Sequence, residues 1–388
     1  MRRLLPLTAL VVLVLSGCAS EGIDTGKEPR AAAGLKVATN ADLAGRLEAW
    51  RAEAGVPGLG AAVLRGDDLE VAVAGKRRID RDAPLAPADT FHLGSDTKAM
   101  TASIVARLVD RGLLRWDEPL ADAMPDITDM DPAFKTVTLD MLLRHVSGLA
   151  GTGAFTDEFT QGFDEAWPLP RQRAWMARRF LSRPPALPPG TKFTYSNYGY
   201  LILGHVVERT TGLAWEDLVK HEVFEPLGMT GCGFGPTATD KEPAGNWAHD
   251  VKDGAYVATG EDNAPLIGPA GTVHCTLESW ARFARAHANP DAGGWLTPAS
   301  MAHLHEGRTF EGVPGERDIA LGWAVTRTDP PRLTHSGSNG FNVGQIVVIP
   351  ETHAAVLVVA NAGDDRARAV AEKIRDALVD QLLGGSKK

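Results

Sequence analysis

Ser95-Asp96-Thr97-Lys98, running on through Ala99-Met100-Thr101-Ala102-Ser103-Ile104-Val105-Ala106-Arg107-Leu108-Val109, sets a hydroxyl and an amine three residues apart at the head of an amphipathic run. Met100, Ile104 and Leu108 recur at four-residue steps with Val105 and Val109 beside them, and Gly112 ends the pattern, which predicts a helix. Residues i and i+3 share a helix face, so Ser95 falls in the first turn with the Lys98 amine beside its Oγ. Free backbone N–H groups and the positive end of the helix dipole point to the same place. A serine so placed is suited to attack an acyl carbon. Taken alone, S-x-x-K also fits an ordinary solvated first turn.

Two further short motifs follow in order. Tyr195-Ser196-Asn197 comes after the Pro-rich turn Pro184-Pro185 and Pro188-Pro189-Gly190, and His335-Ser336-Gly337 after the strand-like Arg332-Leu333-Thr334. Neither S-x-x-K nor Y-x-N recurs in the chain. Other signatures fail. No G-x-S-x-G nucleophile elbow is present. His221-Glu222 starts like a zinc-protease helix but lacks the second His. His303, His305 and Glu306 have no partner cluster in sequence and predict a surface helix, so no metal site is expected. Gly231-Cys232-Gly233-Phe234-Gly235 lacks the strand-to-helix setting of a nucleotide loop.

The order S-x-x-K, Y-x-N, H-x-G resembles the serine β-lactamase and penicillin-binding-protein superfamily, with the Tyr nearer the class C-like β-lactamases, DD-carboxypeptidases and β-lactamase-like esterases. Flanking segments agree: Phe91-His92-Leu93-Gly94, Gly112-Leu113-Leu114-Arg115-Trp116-Asp117-Glu118-Pro119, Leu142-Leu143-Arg144-His145-Val146-Ser147-Gly148-Leu149, Gly199-Tyr200-Leu201-Ile202-Leu203-Gly204 and Pro226-Leu227-Gly228-Met229. The resemblance runs from about residue 41 to the C-terminus. It implies a Ser95 acyl-enzyme, with Lys98 and Tyr195 as a coupled base and no cofactor. Positive charge from Lys98, and from His335 if protonated, is expected to favour the Tyr195 phenolate. Asn197 is expected to bond Lys98 and the substrate. His335, Ser336 and Gly337 line the substrate site, and the backbone N–H groups of Ser95 and Ser338 form an oxyanion hole. His335 departs from the Lys of class C β-lactamases, and a permanent cation for a substrate carboxylate is lost with it.

Composition fits a large folded enzyme. The chain has 388 residues, 44% hydrophobic, and a net charge of −9, which argues against nucleic acid and against a polybasic membrane face. Acidic residues from Asp117 to Asp131 read as a solvated loop face. Met1-Arg2-Arg3, the apolar run Leu4 to Leu15 and Leu15-Ser16-Gly17-Cys18 resemble a bacterial lipoprotein leader. The expectation is a signal peptide over 1–17, lipidation of Cys18, and a flexible tether over 18–40. The protein would then sit on the extracytoplasmic face of the envelope, periplasmic or outer-membrane in a Gram-negative cell. Cys232 and Cys275 remain, and the sequence leaves their pairing open.

Periodicity predicts a helix over 42–54, a hairpin of Gly58 to Arg65 with Leu69 to Lys76, and strands over 319–327, 332–335, 341–349 and 354–360. A closing helix over 364–383 carries Val370, Ile374, Leu378 and Leu382 on one stripe. The expected fold is α+β, an antiparallel sheet flanked by helices. Residues 41–112 and 237–388 make the α/β lobe, and 113–236 an inserted, mostly helical lobe. The expected function is hydrolysis of D-alanyl peptides, β-lactams or related amides and esters. A carboxylesterase or amidase on the same scaffold, and a non-catalytic envelope binding protein, stand as alternatives. The one partner expected besides the membrane is the small-molecule or peptide acyl donor.

Overall fold

Two apolar runs, Gly58–Arg65 and Ala354–Ala360, lie side by side in the middle of the sheet and are buried on both faces, Arg65 excepted. Their alternation divides them between two layers, as period-two side chains must. Leu59, Ala61, Val63, Val356 and Val358 face the helices Ala41–Ala54 and Asp365–Gly384, meeting Leu43, Leu47, Val370, Ile374, Leu378 and Leu382. Ala62, Leu64, Ala355, Leu357 and Val359 face the other way, onto Trp280 and Phe283 of the helix Leu277–Ala288 and the main core beyond. These faces place the closing-helix stripe where its sequence predicts.

The structure, a computed structural model, describes residues 34–151, 160–290 and 293–384. Cys18, the leader and most of the expected tether lie outside the described residues. The strands are β1 Lys36–Thr39, β2 Gly58–Arg65, β3 Asp68–Gly75, β4 Thr90–His92, β5 Cys232–Phe234, β6 Ala248–Lys252, β7 Ala255–Thr259, β8 Val273–Thr276, β9 Arg317–Ile319, β10 Ala324–Thr326, β11 Arg332–Ser338, β12 Val343–Ile349 and β13 Ala354–Ala360. The main sheet runs β1-β3-β2-β13-β12-β11-β10-β9, antiparallel except where β1 joins β3. β4-β8-β5 is a small sheet, and β6-β7 a hairpin. The α+β expectation holds.

Two local features differ from the sequence reading. Lys36–Thr39, inside the span expected to be tether, is an exposed edge strand. The strand expected over 319–327 is two, β9 and β10, which pair antiparallel. Gly322 between them has φ +79°, and a methyl there would sit 2.8 Å from Ala99 Cα, so the chain reverses flat against the helix that follows Ser95. The helix Thr97–Asp110 packs on the helical segments Asn197–Thr211 and Gly268–Gly271, while β5 pairs with β8. Cys232 and Cys275 are register partners across β5 and β8, 4.0 Å apart at Cα, and are joined as a disulfide.

Candidate active site

The chain enters the site along β4, whose ladder to β8 ends at His92. Gly94 then takes φ +53° and Ser95 sits in a tight turn, Gly94–Asp96, that feeds the helix Thr97–Asp110. A side chain at 94 would lie 2.3 Å from the Ser338 backbone nitrogen, so glycine is required both by dihedral and by space.

Lys98 is fully buried, its Nζ 3.1 Å from Ser95 Oγ, 2.7 Å from Asn197 Oδ1 and 2.7 Å from the Ala270 carbonyl. Burial pushes its pKa well below the usual lysine value, against the pull of Asp96. Nζ also lies 4.8 Å from the centroid of the Tyr195 ring. The Tyr195 hydroxyl hydrogen-bonds Ser95. Burial pushes Tyr195 above its ordinary value, and the Asp96 charge adds to this. The expected help to the phenolate is therefore reversed: desolvation, with the Asp96 charge behind it, favours the neutral phenol. Ser95, Lys98, Tyr195 and Asn197 meet as predicted.

The Ala270 carbonyl had no sequence signal. It is held by its own supports: Thr101 Oγ donates to the Pro269 carbonyl (2.7 Å) and Trp215 Nε1 to Thr101 Oγ (3.1 Å). The fully buried Arg173 donates Nε to the Leu266 carbonyl at 3.0 Å and pairs with Glu208 and Glu216. Gly204 leaves room for Pro269, which a methyl there would meet at 2.3 Å.

His145 is a second residue without an assigned role in sequence, although its segment resembled the family. It takes a left-handed backbone, φ 60°, rare for a non-glycine. Its Nδ1 accepts from the Ser196 backbone N–H at 3.1 Å and its ring lies 4.5 Å from that of Tyr195. Burial, then the Lys98 charge, holds its pKa well below the usual histidine value. A neutral imidazole thus braces the Tyr195-Ser196-Asn197 turn.

β11 forms the opposite wall. Gly337 pairs with Gly344 on β12, and a methyl on Gly337 would lie 1.9 Å from the Leu93 carbonyl oxygen and 2.9 Å from the Ser95 nitrogen. Alternation turns His335 and Gly337 toward the nucleophile turn. His335 Nδ1 is 3.0 Å from Asp96 Oδ1. The Ser336 hydroxyl donates to Gln345 Oε1 (2.8 Å), which also accepts from Arg375 (2.9 Å). Ser336 borders the cleft, but its hydroxyl has a partner on the sheet. Ser338 Oγ accepts from Gly340 N–H and Arg368, both at 3.0 Å, while its backbone lies against Gly94.

A cleft of about 260 Å³ opens here, lined by His145, Phe193, Tyr195, Arg317, Trp323 and His335 among others. Among the described residues, no group of three or more His, Cys, Asp or Glu is placed to hold a metal ion. His303 bonds Asp140 (2.9 Å) and His305 bonds His287 (2.9 Å), so the two do not converge.

Comparison with known proteins identifies the family. The family described as Beta-lactamase matches residues 41–381. Penicillin-binding protein 4 of Amycolatopsis lactamdurans is 30% identical over 374 residues, covering 87% of this chain and 88% of its own. The octameric penicillin-binding protein homologue from Pyrococcus abyssi superposes with a TM-score of 0.71 at 24% identity, over 88% of this chain and 77% of that one. The D-amino acid amidase from Ochrobactrum anthropi SV3 does so with a TM-score of 0.70 at 21% identity, over 89% of this chain and 98% of that one; these two share the fold. With its serine, lysine and tyrosine gathered at one point on this fold, the chain belongs to the Beta-lactamase family of serine hydrolases and penicillin-binding proteins.

Proposed function

We propose that the protein is an extracytoplasmic serine acyl hydrolase acting on D-alanyl peptides and β-lactams through a Ser95 ester. One observation carries this reading: Ser95 Oγ is held at once by a buried amine, Lys98 Nζ at 3.1 Å, and by the Tyr195 phenol. An ammonium would donate all three protons to the three oxygens around Nζ. An amine keeps two, for Asn197 Oδ1 and Ala270 O, and turns its lone pair to the Ser95 hydroxyl. Burial favours the amine.

Lys98 then takes the Ser95 proton as Oγ bonds the acyl carbon. The N–H groups of Ser95 and Ser338 receive the oxyanion, each such donor contributing about 3 kcal/mol at the transition state. As the carbon–nitrogen bond breaks, the Lys98–Tyr195 pair returns a proton to the leaving nitrogen, and a water activated by the same pair releases the acyl group. Similarity to a penicillin-binding protein over most of both chains supports the substrate class. The lipobox-like Leu15-Ser16-Gly17-Cys18 supports an anchored, extracytoplasmic location.

A second reading is an amidase or esterase with little β-lactam activity, favoured because His335 replaces a permanent cation and its Nδ1 is engaged by Asp96. Intact mass after mixing with benzylpenicillin, with Ser95→Ala in parallel and free drug followed, tests both. A lasting Ser95-dependent adduct means a penicillin-binding peptidase, and drug consumed without one means a β-lactamase. No adduct with drug intact refutes the first reading and leaves the second.

A further inference from the structure

Asp96 is a buried carboxylate that the proposed acyl transfer does not use. It is 2% exposed, and His335 is its side chain's hydrogen-bond partner, Oδ1 to Nδ1 at 3.0 Å. Its other oxygen, Oδ2, has no partner and lies against Gly344, where a methyl would come within 2.6 Å. The facing glycines 337 and 344 thus make the hollow that admits this carboxylate beneath β11.

His335 has two ring nitrogens. With Nδ1 on Asp96, Nε2 is the one left for a ligand, and the ring lines the cleft with 11% of the side chain exposed. A carboxylate against Nδ1 accepts an N–H whether the ring is neutral or cationic. Neutral, the ring then offers an Nε2 lone pair to the cleft. Protonated, it offers an N–H and a positive charge. The other titratable and charged groups near this corner are Lys98, which acts on Asp96, the neutral His145, and Tyr195 and Arg317, which line the same cleft. Arg317 Nε is donated to the Pro314 carbonyl at 2.7 Å. Ile346, the ladder partner of His335 on β12, is apolar.

We propose that Asp96 is a positioning residue that fixes His335 with Nδ1–H inward, making Nε2 a two-state reader of the leaving-group end of the acyl donor. Cationic His335 favours a donor ending in a carboxylate. Neutral His335 accepts from an amide N–H and favours an amidated end. Substrate preference therefore follows the protonation state of His335. This rests on the acyl-transfer reading, since it concerns that site's leaving group.

The test is kcat/KM from pH 5.5 to 8.5 for N-acetyl-D-alanyl-D-alanine and its C-terminal amide. In the unsubstituted protein the carboxylate-to-amide ratio is expected to be about tenfold higher with the His335 ring protonated than with it neutral, the worth of one charge-assisted hydrogen bond. His335→Gln is expected to flatten that ratio, and Asp96→Asn to shrink its change, since a neutral ring no longer held by the carboxylate can turn its N–H to either side. A flat ratio in the unsubstituted protein overturns the proposal. So does an Asp96→Asn ratio that titrates as before while both rates fall together, the signature of a merely structural role. Imidazole nitrogen NMR of the unsubstituted protein, assigned with His335→Gln, is independent of turnover. Neutral His335 is expected as the Nδ1–H tautomer, and Nε2–H overturns the role of Asp96. Should neither substrate be turned over, the D-alanyl reading of the function fails and the tautomer alone decides the role of Asp96.

Discussion

Replacing Gly337 by alanine probes how closely β11 is pressed on the nucleophile turn. The added methyl would lie 1.9 Å from the Leu93 carbonyl oxygen and 2.9 Å from the backbone nitrogens of Ser95 and Asp96. Carbon and oxygen rest about 3.3 Å apart, so strand and turn must separate by about 1.4 Å. A displacement of about 1 Å in a catalytic array can lower the rate about 100-fold. That separation moves Ser338 away from Ser95 and Lys98 together. The expected outcome for Gly337→Ala is a fall of about 100-fold in kcat/KM. Overpacking adds a loss of about 1–3 kcal/mol in stability. The assay is hydrolysis of p-nitrophenyl butyrate, with thermal melts and labelling by a serine-reactive phosphonate on the same sample. A folded variant within about threefold of the unsubstituted enzyme would refute the reasoning, because the strand would then have room that the geometry denies it. Gly344→Ala is the companion: its nearest contact is Asp96 Oδ2 at 2.6 Å, with Leu93 O at 3.3 Å, so the nucleophile turn is disturbed less.

Further outcomes are expected. Lys98→Met should lower kcat/KM by about 10²–10⁴, the range of a lost general base; a loss under tenfold in steady-state kinetics removes Lys98 from that role. Because burial depresses Lys98, the limb of kcat/KM that rises with pH should lie well below the ordinary lysine value of about 10.4, and a limb at 10 or above contradicts the neutral amine. Burial also holds His205 and His305 at about 4 and His145 and His287 well below the usual value. The unfolded chain takes up those protons below about 6.5 while the fold does not, so stability is lost as pH falls from about 6.5 toward about 4. Thermal melts at pH 7.5, 6 and 4.5 check this, and a constant midpoint refutes it. Cys232→Ser with Cys275→Ser opens a loop with a sequence separation of 43. By loop entropy that costs about 4 kcal/mol in a urea melt, and a change under about 1 kcal/mol would count against the bond as a clamp.

What could be read in advance has a common cause. Ser95 and Lys98 are three residues apart on one helix, and the stripes of the closing helix and the alternation of β2 and β13 are periodic, so each leaves a local pattern. Asn197 and Tyr195 were legible because their spacing resembles a family motif. The Ala270 carbonyl, the Arg173 brace and the Asp96–His335 bond join residues 35 to 239 positions apart, and no local spacing reports them. Gly322 looked like part of a strand, since a positive φ used for close approach to a helix leaves only a glycine behind. The ionisation of Tyr195 was misjudged for a related reason. Counting neighbouring charges ignores desolvation, which only the packed structure reveals.

The seam between β2 and β13 bears on how the chain reaches its native state. Ala61 pairs with Val358, a closure of about 300 residues, at the centre of the sheet and not at its rim. Folding therefore has high contact order at its most apolar point, and the sheet waits for the last strand to emerge. Until then β2 and β12 each present an open, hydrophobic edge, the kind that pairs with other chains. A chain cut before Ala354 loses the joint between two half-sheets, so aggregation during synthesis, more than reduced activity, is the expected fate of such truncations.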